Sequence, residues 1–211
     1  MKINYLIILV LFAVVAGSCK QEAKKQTQQT DIPTVQKQEI ENTTLSAIKE
    51  VISLKYDEVW DFSEGLALVK LSDRFGFINR NGNEVIPLKY DLAYSFSEGR
   101  AKVELDGKWG FIDTAGDEVI PLKYDATLDF SEGLAAVKLN DKMGFIDPTG
   151  KEVIPLKYDF AYSLNEGLAS VQLNGKYGFI NKNGKEVIPF KYDNANYFTE
   201  GLAKVELNGK W

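Results

Sequence analysis

The feature that most constrains this chain is an internal repeat with one fixed step, the distance along the sequence from Tyr56 to Tyr90. The triplet Lys-Tyr-Asp recurs with its tyrosine at Tyr56, Tyr90, Tyr124, Tyr158 and Tyr192, and the pair Glu-Gly recurs with its glycine at Gly65, Gly99, Gly133, Gly167 and Gly201. A large apolar residue stands before glycine at Phe75, Trp109, Met143 and Tyr177. No interval is lengthened or shortened, so one structural unit is used about five times. In arrays of this kind each unit buries itself on the next.

Within a unit the apolar residues alternate, which is the period of a strand and not of a helix. In LALVKL, Ala67, Val69 and Leu71 share one face, and Ala101, Val103 and Leu105 repeat it. The intervening columns vary: Leu68, Lys102, Ala136, Ser170 and Lys204 form one, and Lys70, Glu104, Lys138, Gln172 and Glu206 the next. That variation predicts a half-buried strand with one face in water. Asp106-Gly107, Asn174-Gly175 and Asn208-Gly209 end it with pairs that accept positive φ, so a tight hairpin follows. A second strand, KWGFID in the second copy, leads through a looser turn to a third, EVIP. There Pro87, Pro121, Pro155 and Pro189 cannot donate to a ladder and are expected to cut the strand. The unit therefore reads as a three-stranded antiparallel meander, and the linking piece LKYDLAYSFSEG is a candidate for a short fourth strand.

These residues resemble the WG (also called KWG) repeat family of bacterial, often secreted, proteins: an aromatic-Gly-Phe-Ile core, Glu-Gly-Leu-Ala upstream and Val-Ile-Pro downstream. The resemblance covers Lys49 to Trp211, although in the column before the repeat glycine tryptophan itself stands only at Trp109 and Trp211. It implies a repeat of little-defined function and brings no catalytic residues. The expected fold is all-β, with tandem antiparallel meanders forming an open stack or solenoid. The alternative is closure as a five-bladed propeller, against which the repeating unit is short for a four-stranded blade. Lys49 to Trp211 falls a little short of five full units, and the Gly-Phe-Ile due after Trp211 is missing. A truncated or frayed last unit is the expectation.

The chain starts with a different kind of signal. Lys2 precedes an apolar run from Leu6 to Val15, too short for a stable membrane span and laid out as a secretory leader. Ala16-Gly17-Ser18-Cys19 resembles the lipobox of bacterial lipoproteins, which implies that Cys19 is the lipidated first residue of the mature chain. The alternative is a plain secretion signal. Residues 1–18 read as the signal peptide, 19–44 as a flexible tether poor in apolar residues, and 45–211 as the repeat domain. At about 5–6 Å × √n, such a tether would hold the domain roughly 25–30 Å from its lipid. The expected location is the bacterial cell envelope, on the periplasmic face or the cell surface.

Composition excludes several activities. Lys20 to Glu50 carries five basic and five acidic residues, so the repeats hold nearly all of the net charge of −5. No basic stripe exists to displace counterions from phosphates, which argues against a nucleic-acid partner. Without a histidine, the commonest general base and metal ligand is missing, and a single cysteine permits neither an internal disulfide nor a cysteine metal cluster. No cofactor or metal is expected. The repeated acids Asp57, Asp91, Asp125, Asp159 and Asp193, with Glu64, Glu98, Glu132, Glu166 and Glu200, could pair as the acid and base of a glycan hydrolase. A residue present in every copy is more simply explained by folding, here by accepting backbone N–H groups at turns. The loops NRNGNE and DTAGDE faintly resemble calcium loops, but their counterparts DPTGKE and NKNGKE put proline, threonine or lysine where ligands belong.

One column varies yet tends to stay large: Trp60, Tyr94, Leu128, Tyr162 and Asn196. Trp60, Tyr94 and Tyr162 are the candidate ligand-binding residues, suited to stacking on sugars or gripping an extended peptide. The competing reading packs them between units. The expectation is an envelope protein or glycan interaction module and not an enzyme, with a structural spacer as the alternative.

Overall fold

The computed structural model describes residues 55–211. The signal segment 1–18, Cys19, the tether and the first residues of the repeat region lie outside the described residues. The described chain is all-β and repeats one meander. The first sheet is β1 (Glu58–Ser63), β2 (Leu66–Leu71), β3 (Arg74–Asn79) and β4 (Glu84–Tyr90). The second is β5 (Leu92–Ala93), β6 (Ala101–Leu105), β7 (Lys108–Ile112) and β8 (Glu118–Tyr124). The third is β9 (Ala126–Thr127), β10 (Ala135–Leu139), β11 (Lys142–Ile146) and β12 (Glu152–Tyr158). The fourth is β13 (Phe160–Ala161), β14 (Leu168–Leu173), β15 (Lys176–Asn181) and β16 (Glu186–Tyr192), and β17 (Asn194–Thr199) with β18 (Leu202–Glu206) begins a fifth. Strands pair only within their own sheet, in chain order, and the element contacts between sheets join each sheet to the next, so the sheets form an open series.

The linking piece does form a fourth strand. Four strands fit one period because β5, β9 and β13 are two residues each. The hairpin between β6 and β7 has Leu105 opposite Lys108, with Asp106 at φ 53° and Gly107 at φ 72°. That is the doubly positive turn whose twist matches its flanking strands.

The glycine after the aromatic has a steric cause. A Cβ on Gly110 would lie 2.5 Å from the Ile120 carbonyl oxygen and 2.8 Å from the Leu122 nitrogen, both backbone atoms of β8. The approach is close because β8 bulges: Phe111 faces Ile120 and Trp109 faces Tyr124, so two steps along β7 meet four along β8. Pro121 lies inside that bulge. The expectation that proline cuts the strand is therefore corrected, since β4, β8, β12 and β16 run through proline to tyrosine. Each is the last strand of its sheet, where a missing N–H removes no ladder bond.

The expectation of a wet strand face holds for its second column, since Lys70, Glu104, Lys138, Gln172 and Glu206 are half-exposed, and is corrected for the first. Leu68, Lys102, Ala136 and Ser170 are all buried, and only Lys204 of that column is exposed. The reason is that β6, β10 and β14 are covered on both faces by neighbouring sheets. Ala101, Val103 and Ile112 pack on Phe77, Ile86 and Tyr90 of the sheet before. Ala135, Val137 and Ile146 pack likewise on Phe111, Ile120 and Tyr124. Ala169, Val171 and Ile180 do so on Phe145, Ile154 and Tyr158. Ring pairs Phe77–Phe96 and Phe111–Phe130, at 4.9 and 4.8 Å between centroids, reach across the first two of these junctions, and Phe179–Phe198, at 5.0 Å, reaches from the fourth sheet to the fifth. The core is a series of inter-sheet layers, each built by two successive units.

Candidate functional site

The repeated acids face their neighbours, not an open cleft. The Glu98 carboxylate accepts the backbone N–H groups of Glu132 and Gly133, both at 3.0 Å, one unit onward. Glu64 accepts from Gly99 at 3.1 Å, Glu132 from Gly167 at 3.1 Å and Glu166 from Gly201 at 2.8 Å. The Glu-Gly turns are thus tied into a ladder along the array. The aspartates make a second ladder. Asp125 accepts the Asn140 N–H at 2.9 Å with one oxygen and the Lys108 ammonium at 2.7 Å with the other. Asp91 with Arg74, Asp159 with Lys142 and Asp193 with Lys176 repeat the arrangement. Lys108 beside it, then the Asn140 N–H, holds the Asp125 carboxyl below its usual value, and Lys142 and Lys176 do the same for Asp159 and Asp193.

The loops that faintly resemble calcium loops are turns closed by their own side chains. Asp113 Oδ1 accepts the N–H groups of Ala115 and Asp117, both at 3.0 Å, and Asn79 Oδ1 those of Asn81 and Asn83, at 3.0 and 3.1 Å.

The varying aromatic column lies on the edge formed by the first strands and the loops after them. Its first two aromatics pack on the residue before the WG-type glycine in their own sheet. Trp60 meets Phe75 at 5.9 Å and Tyr94 meets Trp109 at 6.0 Å. Tyr162 lies close enough to Tyr177 that, after burial, it is the second cause raising the Tyr177 phenol above its ordinary value. The column does not present one continuous ladder to water. Trp60, Leu128 and Tyr162 are half-buried, whereas Tyr94 is 46% exposed and Asn196 is also exposed.

What differs between junctions is the residue beneath this column. The Tyr94 N–H donates to the Lys102 carbonyl, the Leu128 N–H to that of Ala136 and the Tyr162 N–H to that of Ser170, so these are cross-strand neighbours. At the second junction Lys102 fills the space. Its side chain is buried, its Nζ lies 3.9 Å from the Tyr94 ring centroid, and it donates to Asp129 at 3.0 Å. At the next two junctions Ala136 and Ser170 are too short to do this. There an open groove of about 380 Å³ lies along the loop edge, lined by Leu128, Asp129, Phe130, Ser131, Tyr162, Ser163, Leu164, Asn165 and Tyr197.

Of the three sequence candidates, only Tyr162 lines this groove. Trp60 and Tyr94 belong to earlier units. Leu128 and Tyr197, absent from that set, complete it. Tyr197 carried a legible signal, because its column otherwise holds Asp61, Ser95, Asp129 and Ser163. It is 51% exposed, and its ring lies 6.3 Å from that of Tyr162 at 66°.

Comparison with known proteins bears on the repeats. The profile of the family described as "WG containing repeat" matches residues 49–74, 75–109, 109–142, 143–177 and 177–211. No curated protein is similar enough in sequence to be matched. Among solved structures, Hsv2 of Kluyveromyces lactis is 10% identical with a TM-score of 0.41, over 64% of this chain and 49% of its own. The extracellular domain of a one component system from B. thetaiotaomicron is 13% identical with a TM-score of 0.35, over 65% of this chain and 25% of its own. A protein of unknown function from Bacteroides caccae is 18% identical with a TM-score of 0.32, over 61% and 58%. The chain thus spans less than two thirds of each of these structures.

Proposed function

This chain belongs to the WG containing repeat family, and from that premise we propose that it is a lipid-anchored interaction module of the bacterial envelope, binding a protein or glycan partner through the loop edge of its third to fifth units. The carrying observation is the groove along the loop edge, lined by Leu128, Tyr162 and Tyr197 from three successive units. Concave sites with an apolar floor and a few polar groups are where ligands bind. Binding without catalysis is supported by the repeated acids, whose carboxylates accept backbone N–H groups and lysine side chains in unit after unit. The lipid anchor rests on Ala16-Gly17-Ser18-Cys19, and envelope localisation rests on the leader before it.

The test is saturable binding of the full chain to isolated envelope fractions. Tyr162→Ala with Tyr197→Ala is expected to weaken it at least tenfold, the loss of about 1.4 kcal/mol or more. Unchanged binding by a folded double variant would remove the groove as the binding surface, and no saturable binding by the wild type would leave the spacer reading in its place.

A further inference from the structure

We propose that the groove takes a neutral saccharide, a sugar ring without carboxylate, sulfate or ammonium groups; this deepens the interaction reading and rests on it. The first argument is charge. Asp129 is the one ionisable acid in the lining, no lysine or arginine shares it, and Lys102 neutralises that acid from below at 3.0 Å. A polyanion finds no cation to pair with there. A cationic ligand finds its only counter-charge already engaged. Burying an unpaired charge costs far more than burying a hydroxyl that finds a partner.

The second argument is the mixture of surfaces. Tyr162 and Tyr197 meet at 66° and share the lining with Leu128, so the groove sets two phenol rings and an aliphatic side chain where the C–H face of a pyranose can pack. Its rim carries hydrogen-bonding groups to match equatorial hydroxyls. The Ser163 hydroxyl and the Asn165 amide are half-exposed and make no side-chain hydrogen bond among the described residues. Ser131 Oγ donates to the Leu164 carbonyl at 2.8 Å and so keeps its acceptor capacity. A purely apolar peptide anchor would leave these rim groups unmatched, at a cost in affinity. A sugar uses both surfaces at once.

The test titrates the full chain by calorimetry with hexamers of β-1,4-glucose, α-1,4-glucose and β-1,4-N-acetylglucosamine, and with hexagalacturonate as the acidic probe. A single shallow site of this kind should bind at roughly millimolar concentration. At least one neutral hexamer is expected to bind, with affinity falling tenfold or more in Tyr162→Ala and in Tyr197→Ala. Tyr197→Phe, which keeps the ring face, is expected to stay within threefold. Urea midpoints guard against variants that fail to fold. Binding of hexagalacturonate in preference to every neutral hexamer overturns the proposal, and so does the absence of binding by all neutral hexamers. If the hexamers fail while envelope binding still depends on Tyr162 and Tyr197, the saccharide assignment alone falls. If both fail, the groove is no binding site.

Discussion

At Gly110 and Gly107, three residues apart on one hairpin, the need for glycine has two different origins. Around Gly107 nothing lies within 4 Å of an added Cβ, and only its φ of 72° disfavours a side chain. Gly110 has no such φ, yet an added Cβ would meet three backbone atoms of β8 at 2.8 Å or less. Backbone cannot rotate aside as a side-chain tip can, so the bulge around Pro121 would have to move. Gly107→Ala is expected to cost about 1 kcal/mol. Gly110→Ala is expected to cost about 3 kcal/mol or more, the range of strained core substitutions. Urea unfolding of the two variants checks the order, and equal costs would remove the close approach as the reason for this glycine. The residue before it obeys a looser rule. Phe75, Trp109, Met143 and Tyr177 differ in shape, but each only needs bulk beside its partner in the varying aromatic column.

At the scale of elements, each sheet is fastened to the next by layers of apolar side chains and by two ladders of carboxylates. The aspartate ladder makes stability depend on pH. Asp125, Asp159 and Asp193 have folded values below the ordinary 3.8, with a lysine as first cause in each. A depressed carboxylate stabilises the fold at pH above its unfolded value, and that contribution disappears as pH falls through the folded value. The wild type is therefore expected to lose stability as pH drops below about 4, where the unfolded chain takes up protons first. Lys108→Met should flatten part of this dependence by raising Asp125 toward its unfolded value. Thermal melts between pH 3 and pH 6 measure the effect. An identical pH profile in Lys108→Met would show that the pair leaves folding unaffected.

For the whole molecule, the open series of sheets makes each unit depend on its immediate neighbours and puts equivalent loops along one edge. That placement lets a groove form from the loops of successive units without disturbing the repeat. The other whole-molecule question is how the module is held. If Cys19 carries lipid, wild-type chain expressed in a bacterium that processes lipoproteins should incorporate labelled palmitate and partition into detergent. Cys19→Ser should do neither. Equal labelling of both chains would exclude Cys19 as the anchor.

The all-β class, the five-fold repeat, the hairpin turns and the structural role of the repeated acids were legible without coordinates. They follow from local chemistry copied once per unit: alternation, doubly positive turns and glycines at fixed places. What required the tertiary structure is everything that passes between units. Lys102 looked like a solvent-facing residue because one variable column and one lysine read alike on a wet strand and on a strand covered from both sides. Its burial against Tyr94 and Asp129 depends on the distance between sheets, which no residue pattern encodes by itself. Pro121 looked like a strand end because its missing N–H matters only if a partner lies on that side. The groove was the least legible feature. Its lining comes from the loops of three successive units, and Tyr197 of one unit reaches Tyr162 of another, so only the packing of successive sheets could bring those residues to one place.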